Sequence, residues 1–246
     1  MCDYYQKSRK IKCSEKNDFC STSCLLHRKF PKIKKSERYR VLFEKKRSEF
    51  LRKIDDEDFE FEGSQFWNEN DFPIFNNLHF RLELINKKIK YLNLRDSVIP
   101  LLSFINCEID SVVLDGSICD HIYLENTKIV RISGCSITKF GMLEINDSNV
   151  DFLSFDNSLI DCCFFRNSII NKNILFRNTT IKEIYFFNTT FNRDLNLSET
   201  KILGEVVFKR ISIIGDLDFA VDKIKKNSAK ESLFRKKKKI LEEIGT

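Results

Sequence analysis

Glycine and proline are scarce, with seven and three in 246 residues, and there are one tryptophan and two methionines. Collagen-like, Pro-rich and disordered chains need far more of the first two, so a packed core is expected. No run of eighteen apolar residues is present to cross a bilayer as a helix. Met1 to Pro31 is polar, basic and cysteine-bearing, without the apolar segment of a secretory signal, so the expectation is a soluble cytoplasmic protein. Histidine is limited to His27, His79 and His121, each isolated. A nucleophilic or acid–base site needs a base held beside its nucleophile by a third group. Phosphate-cradling glycine loops and the His-Glu-x-x-His motif are also missing. A non-enzymatic role with no small-molecule substrate is the expectation.

What the chain has in abundance is repetition. Between Leu82 and Ile224 an apolar residue recurs every ten or eleven positions: Leu84, Leu94, Phe104, Leu114, Leu124, Cys135, Ile145, Phe155, Phe165, Phe176, Phe186, Leu197, Phe208 and Phe219. Five residues after each stands a second, usually apolar one, from Ile89 to Ile224. The unit is therefore five residues in two alternating flavours. Two residues before each centre comes an aliphatic in one flavour (Leu102, Ile122, Leu153) and a small residue in the other (Ser97, Cys107, Ser117). Neither helical periodicity nor simple strand alternation survives for more than three residues, which excludes an amphipathic helix and an ordinary meander. Fixed self-similarity marks a solenoid, whose coils bury their apolar edges against one another.

A five-residue step with two inward residues suits a coil of four short sides, about twenty residues round. Asn or Asp stands just before the small residue at positions 96, 106, 126, 147, 157, 167, 178 and 188. Such side chains tolerate tight backbone geometry and suit corners. A leucine-rich horseshoe shares part of the idiom, but its period normally includes a convex segment that is lacking here. On these phrases the stretch resembles the pentapeptide-repeat family. That resemblance implies an all-β fold, a right-handed quadrilateral parallel β-helix. The bulky residue in the small slot of one flavour departs from the family's phrase, and a wider coil or strand-like sides would follow. Fourteen decapeptides give seven coils. The solenoid is expected over residues 55–224, entered near Phe59, where Phe61 and Ser64 already fit the phrase.

The flanks read differently. Residues 1–35 carry Cys2, Cys13, Cys20 and Cys24, with His27 close behind. Thiolates hold zinc tetrahedrally and can staple a short polar segment that has no core. A structural zinc on the four cysteines is expected, His27 being the alternative ligand. Family members with such a segment carry a His where Cys24 stands. Residues 36–54 read as a basic capping helix, with Ser36 as its N-cap and Tyr39, Leu42, Phe43, Phe50 and Leu51 on one side. Residues 225–246 read as a second basic amphipathic helix, with Leu233, Phe234, Ile240, Leu241 and Ile244 as its stripe. The other five cysteines lie within the repeat, and at least four are expected to point inward.

Charge is segregated. Met1 to Lys53 has 17 basic and 6 acidic residues, Ser103 to Phe165 has 3 and 10, and Lys223 to Thr246 has 9 and 3. Three functions are compatible with acidic middle and basic ends. The first is a scaffold that presents a surface to a protein partner or to a second copy. Another is nucleic-acid binding through the zinc segment and basic termini. The third follows from the resemblance, since the family includes rods that imitate duplex DNA and occupy type II topoisomerases. The repeat also stacks Tyr123, Glu144, Phe164, Tyr185 and Val207 in one outward column, with Arg166, Phe187 and Lys209 beside it. Aromatics exposed in a row mark an interface, so Tyr123, Phe164, Tyr185, Phe187 and Val207 form the candidate patch. The competing expectation is that the C-terminal helix covers it.

Overall fold

A computed structural model of the chain describes Tyr5–Gln6, Ile11–Lys12, Glu37–Asp55, Phe61, Ser64, and residues 81–135 and 138–218. Over the last two stretches the chain winds into a parallel β-solenoid of about six turns. One sheet stacks long strands, Arg81–Ile85, Val98–Ile105, Ile118–Glu125, Lys139–Asn146, Leu159–Arg166 and Thr180–Phe187, each parallel to the next. The other stacks Lys88–Asn93, Glu108–Val113, Lys128–Ser133 and Asn149–Ser154. Of the seven coils expected, the last reaches Phe219 and Ile224, outside the described residues.

The five-residue unit explains the section. In the coil from Ser117 to Gly134 the buried positions, Ser133 apart, are 117 and 119, 122 and 124, 127 and 129, 132 and 134. These are four inward pairs, one per side. Pairs such as Ile122 and Leu124 are wholly apolar, whereas Ser117 with Cys119 and Thr127 with Ile129 combine a small residue with an apolar one. The small residues close hydrogen bonds between coils. Ser97 Oγ donates to the Phe61 carbonyl (2.9 Å), Thr138 Oγ1 to Leu114 (3.2 Å), Ser158 Oγ to Gly134 (2.7 Å) and Thr200 Oγ1 to Phe176 (3.1 Å). A buried hydroxyl costs stability unless partnered, and these four are partnered with the coil beneath. Every Asn or Asp corner named from sequence has a left-handed backbone, with φ between 47° and 57°. Asn86, Gly116 and Arg210 join them. Asn and Gly enter that region cheaply and Arg does not.

Two sequence expectations are corrected inside the solenoid. The repeat centre after Leu124 is Gly134 rather than Cys135. The Gly134 amide donates to the Ser154 carbonyl, as that of Leu114 does to Ser133, and Gly134 is buried while Cys135 is half-exposed. A Cβ on Gly134 would lie 2.8 Å from the Phe155 ring and 3.3 Å from that of Phe140. The two rings fill the missing side chain's space, packed edge to face at 4.8 Å. Of the five cysteines, three rather than four are buried, Cys107, Cys119 and Cys163; Cys135 and Cys162 are half-exposed.

The helix Glu37–Asp55 packs its buried side chains into the same core as the coils. Its buried stripe is Phe43, Lys46, Phe50, Lys53 and Ile54, with Leu42 and Leu51 at the margins. The side chains of Ser36 and Tyr39 lie outside the described residues. Phe50 meets Phe61 at 4.5 Å between ring centres, and the Lys53 ammonium sits 5.3 Å over the same ring. Phe61 occupies the same ladder position as Leu94 one coil on: its amide donates to the Asn93 carbonyl, and the Val98 amide donates to that of Ser64. The repeat phrase at Phe61 and Ser64 thus forms a corner beneath that of Leu94 to Ser97, and the helix meets it through Phe50 and Lys53.

Candidate docking face

The patch is built by register alone. Parallel pairing places Tyr123, Glu144, Phe164, Tyr185 and Val207 in one column and Glu125, Asn146, Arg166, Phe187 and Lys209 in the next. Both columns are outward because each member sits beside an inward centre, Leu124, Ile145, Phe165, Phe186 or Phe208. Adjacent coils stand about 4.8 Å apart, which is the spacing of stacked rings. Phe164 therefore meets Tyr185 at 6.0 Å and Phe187 at 5.3 Å, and Tyr185 lies nearly parallel to Phe187 (6°) at 6.3 Å. The Arg166 guanidinium lies 5.0 Å over Phe164. All five candidate residues are half-buried.

Carboxylates ring these aromatics. The Tyr185 hydroxyl donates to Glu183 Oε2 (2.9 Å) and lies 3.4 Å from Glu205 Oε2. Tyr123 donates to Glu125 in the same way (2.9 Å). Desolvation, together with these carboxylates, pushes the Tyr185 phenol up to about 12, so it remains a donor at any physiological pH. Glu144 takes the opposite shift: the His121 imidazole, 3.3 Å away, holds its carboxyl below the usual value. Beside them Cys162 is pushed up to about 11, first by burial and then by Glu183, Glu144 and Asp161. With Asp120 and Asp161, the face carries six carboxylates. Its cations are Arg166, Lys182 and Lys209, and Lys182 is paired with Asp161 at 2.8 Å.

The column itself was legible in the repeat. Glu183, Glu205 and His121 were not singled out, because spacing alone does not distinguish them from other outward polar residues; Glu183 meets Tyr185 on its own strand, while Glu205 and His121 meet a tyrosine and a glutamate one coil away.

The proposed zinc ligands Cys2, Cys13, Cys20 and Cys24, with His27, lie outside the described residues. Near them the structure describes one antiparallel pair, Tyr5–Gln6 with Ile11–Lys12. Among the described residues no group of three or more His, Cys, Asp or Glu is arranged to hold a metal. No described helix is long and apolar enough to cross a membrane. The C-terminal helix expected over 225–246 also lies outside the described residues. The chain matches no protein-family model, no curated protein and no solved structure.

Proposed function

We propose that the chain is a non-enzymatic scaffold of the pentapeptide-repeat kind that docks a protein through the face formed by Tyr123, Phe164, Tyr185, Phe187 and Val207. The observation that carries this reading is the cluster of three mutually contacting rings, Phe164, Tyr185 and Phe187, on a rigid sheet and within a ring of carboxylates. Aromatics presented at low conformational cost are what interfaces concentrate. A backbone fixed on both sides by ladder hydrogen bonds needs little ordering when a partner arrives.

The test compares wild type with Tyr185→Asp in capture of partners and in oligomeric state by native mass spectrometry. Loss of a specific complex in the variant, with an unchanged circular dichroism spectrum, supports docking. Unchanged complexes and unchanged mass refute it. Salt separates this from nucleic-acid binding, whose affinity falls linearly in log–log with added salt; an aromatic face is far less sensitive. A complex with a type II topoisomerase that survives Tyr185→Asp would favour imitation of DNA instead. Zinc on Cys2, Cys13, Cys20 and Cys24 forms part of the same proposal as an N-terminal staple. One zinc per chain, removed by a chelator, is the expected mass; His27→Ala retains it if the four thiolates suffice.

A further inference from the structure

We propose that residues 225–246 of the same chain pack on the aromatic and carboxylate face, masking it until a partner displaces them. The inference rests on the docking reading above and supplies its regulation. The face makes two demands at once. Its rings need apolar contact, and its six carboxylates against three cations, one of these already paired, need positive charge. Segment 225–246 answers both. It holds eight basic and three acidic residues, with Arg235 to Lys239 an unbroken cationic run between Leu233-Phe234 and Ile240-Leu241.

The tether decides between this segment and any other occupant. The described chain ends at Asp218, eleven residues after Val207, which is itself the top of the column. Tyr185 and Phe164 lie one and two coils below, about 5 and 10 Å at the spacing of parallel strands. The 28 residues that follow Asp218 reach about 42 Å even if wholly helical. Attachment so close to the face gives the segment a millimolar effective concentration there. A second copy would have to match that concentration in solution, so the intramolecular arrangement prevails in dilute protein. A partner that succeeds must bring the same chemistry, cationic and apolar together, with better complementarity.

The experiment uses the full chain with p-benzoylphenylalanine in place of Tyr185, irradiated as a dilute mixture of light and heavy isotope-labelled copies. Mass spectrometry should find position 185 joined to residues 225–246 of the same copy. Simultaneous replacement of Arg235 to Lys239 by Glu should lower the yield roughly tenfold, the sum expected of several exposed ion pairs. High salt should act in the same direction, because at about 1 M the Debye length is only about 3 Å. Joining between light and heavy copies, or to strand neighbours alone, overturns the proposal. The probe at Val207 repeats the measurement should the first variant fold poorly. A same-copy crosslink with partner capture unaffected by Tyr185→Asp refutes the docking function and supports the packing. Capture lost in that variant without any crosslink to 225–246 overturns the packing and leaves docking intact.

Discussion

The coils up to Ser133 and those from Lys139 onward solve one packing problem with different materials. The lower coils are lined largely by aliphatics such as Leu82, Leu92, Leu102, Val112 and Ile122, and their strands run five to eight residues. The upper coils are lined by phenylalanines that touch from coil to coil: Phe165 on Phe186 at 4.9 Å, Phe186 on Phe208 at 5.3 Å, Phe155 on Phe176 at 6.4 Å. Lys139–Asn146, Leu159–Arg166 and Thr180–Phe187 keep eight residues, but the strands of the other sheet break up. In the lower coils Ile109 and Val112 are three apart, whereas Ile170 and Ile174, Phe191 and Leu195, and Ile213 and Leu217 are four apart. The added residue sits at an outer corner. There the six-residue strand Asn149–Ser154 is succeeded by two tracks of two-residue strands, one beginning at Ile169–Ile170 and the other at Ile174–Leu175. Glu205, beside Gly204, does the same between Ile202 and Val206. Insertions are expelled to the surface, as in a β-bulge, because the inward pairs cannot move without opening the core.

The largest effect should come from the phenylalanine stack. Phe186→Ala removes a ring that touches Phe165, Phe208 and Phe191, and a loss of about 3–5 kcal/mol is expected by chemical denaturation. Leu124→Ala in the lower coils should cost about 2–5 kcal/mol. If Phe186→Ala proved the milder of the two, the aromatic half would not be the tighter one. Gly134→Ala comes next, at the junction between the halves. The added methyl must displace the Phe155 ring, and overpacking of that kind costs about 1–3 kcal/mol. A neutral result would mean the rings relax freely and the junction is loose.

Smaller still is Arg210→Asn. Arg210 is the lone non-Asn, non-Asp, non-Gly residue at a described left-handed corner, with φ of 55°. Restoring Asn should raise stability by about 0.5–1 kcal/mol, read as a small rise in Tm. Deleting Lys172 should have the least effect. It should fuse Ile169–Ile170 with Ile174–Leu175 into one strand like Asn149–Ser154, changing stability by about 1 kcal/mol or less. Collapse on deletion would show that the longer corner supports the upper coils.

Much of the interior was legible because its rule is local. Two inward residues in every five can be read from any short window, and so can the Asn or Asp that turns most of the left-handed corners. The reading slipped at Gly134 for a physical reason. A glycine contributes no side chain to the core, so a search for apolar centres passes over it to Cys135, and the space it leaves is filled by Phe155 from the next coil. The helix stripe was read as Tyr39, Leu42, Phe43, Phe50 and Leu51; Phe43 and Phe50 are buried, Leu42 and Leu51 are only partly so, and Lys46, Lys53 and Ile54 complete the buried line. A buried lysine on such a helix is not something hydrophobic periodicity can identify.

The candidate face divides in the same way. Its columns follow from coil length, which the sequence by itself determined once each step of ten or eleven was counted. Which rings touch, which carboxylates receive the Tyr185 and Tyr123 hydroxyls, and that Glu144 meets His121 were decided only by the tertiary structure. The contacts between coils join residues about twenty apart in the chain, whereas Tyr185 with Glu183 or Phe187, and Tyr123 with Glu125, are neighbours on one strand; all of them depend on side-chain torsions that residue spacing does not give.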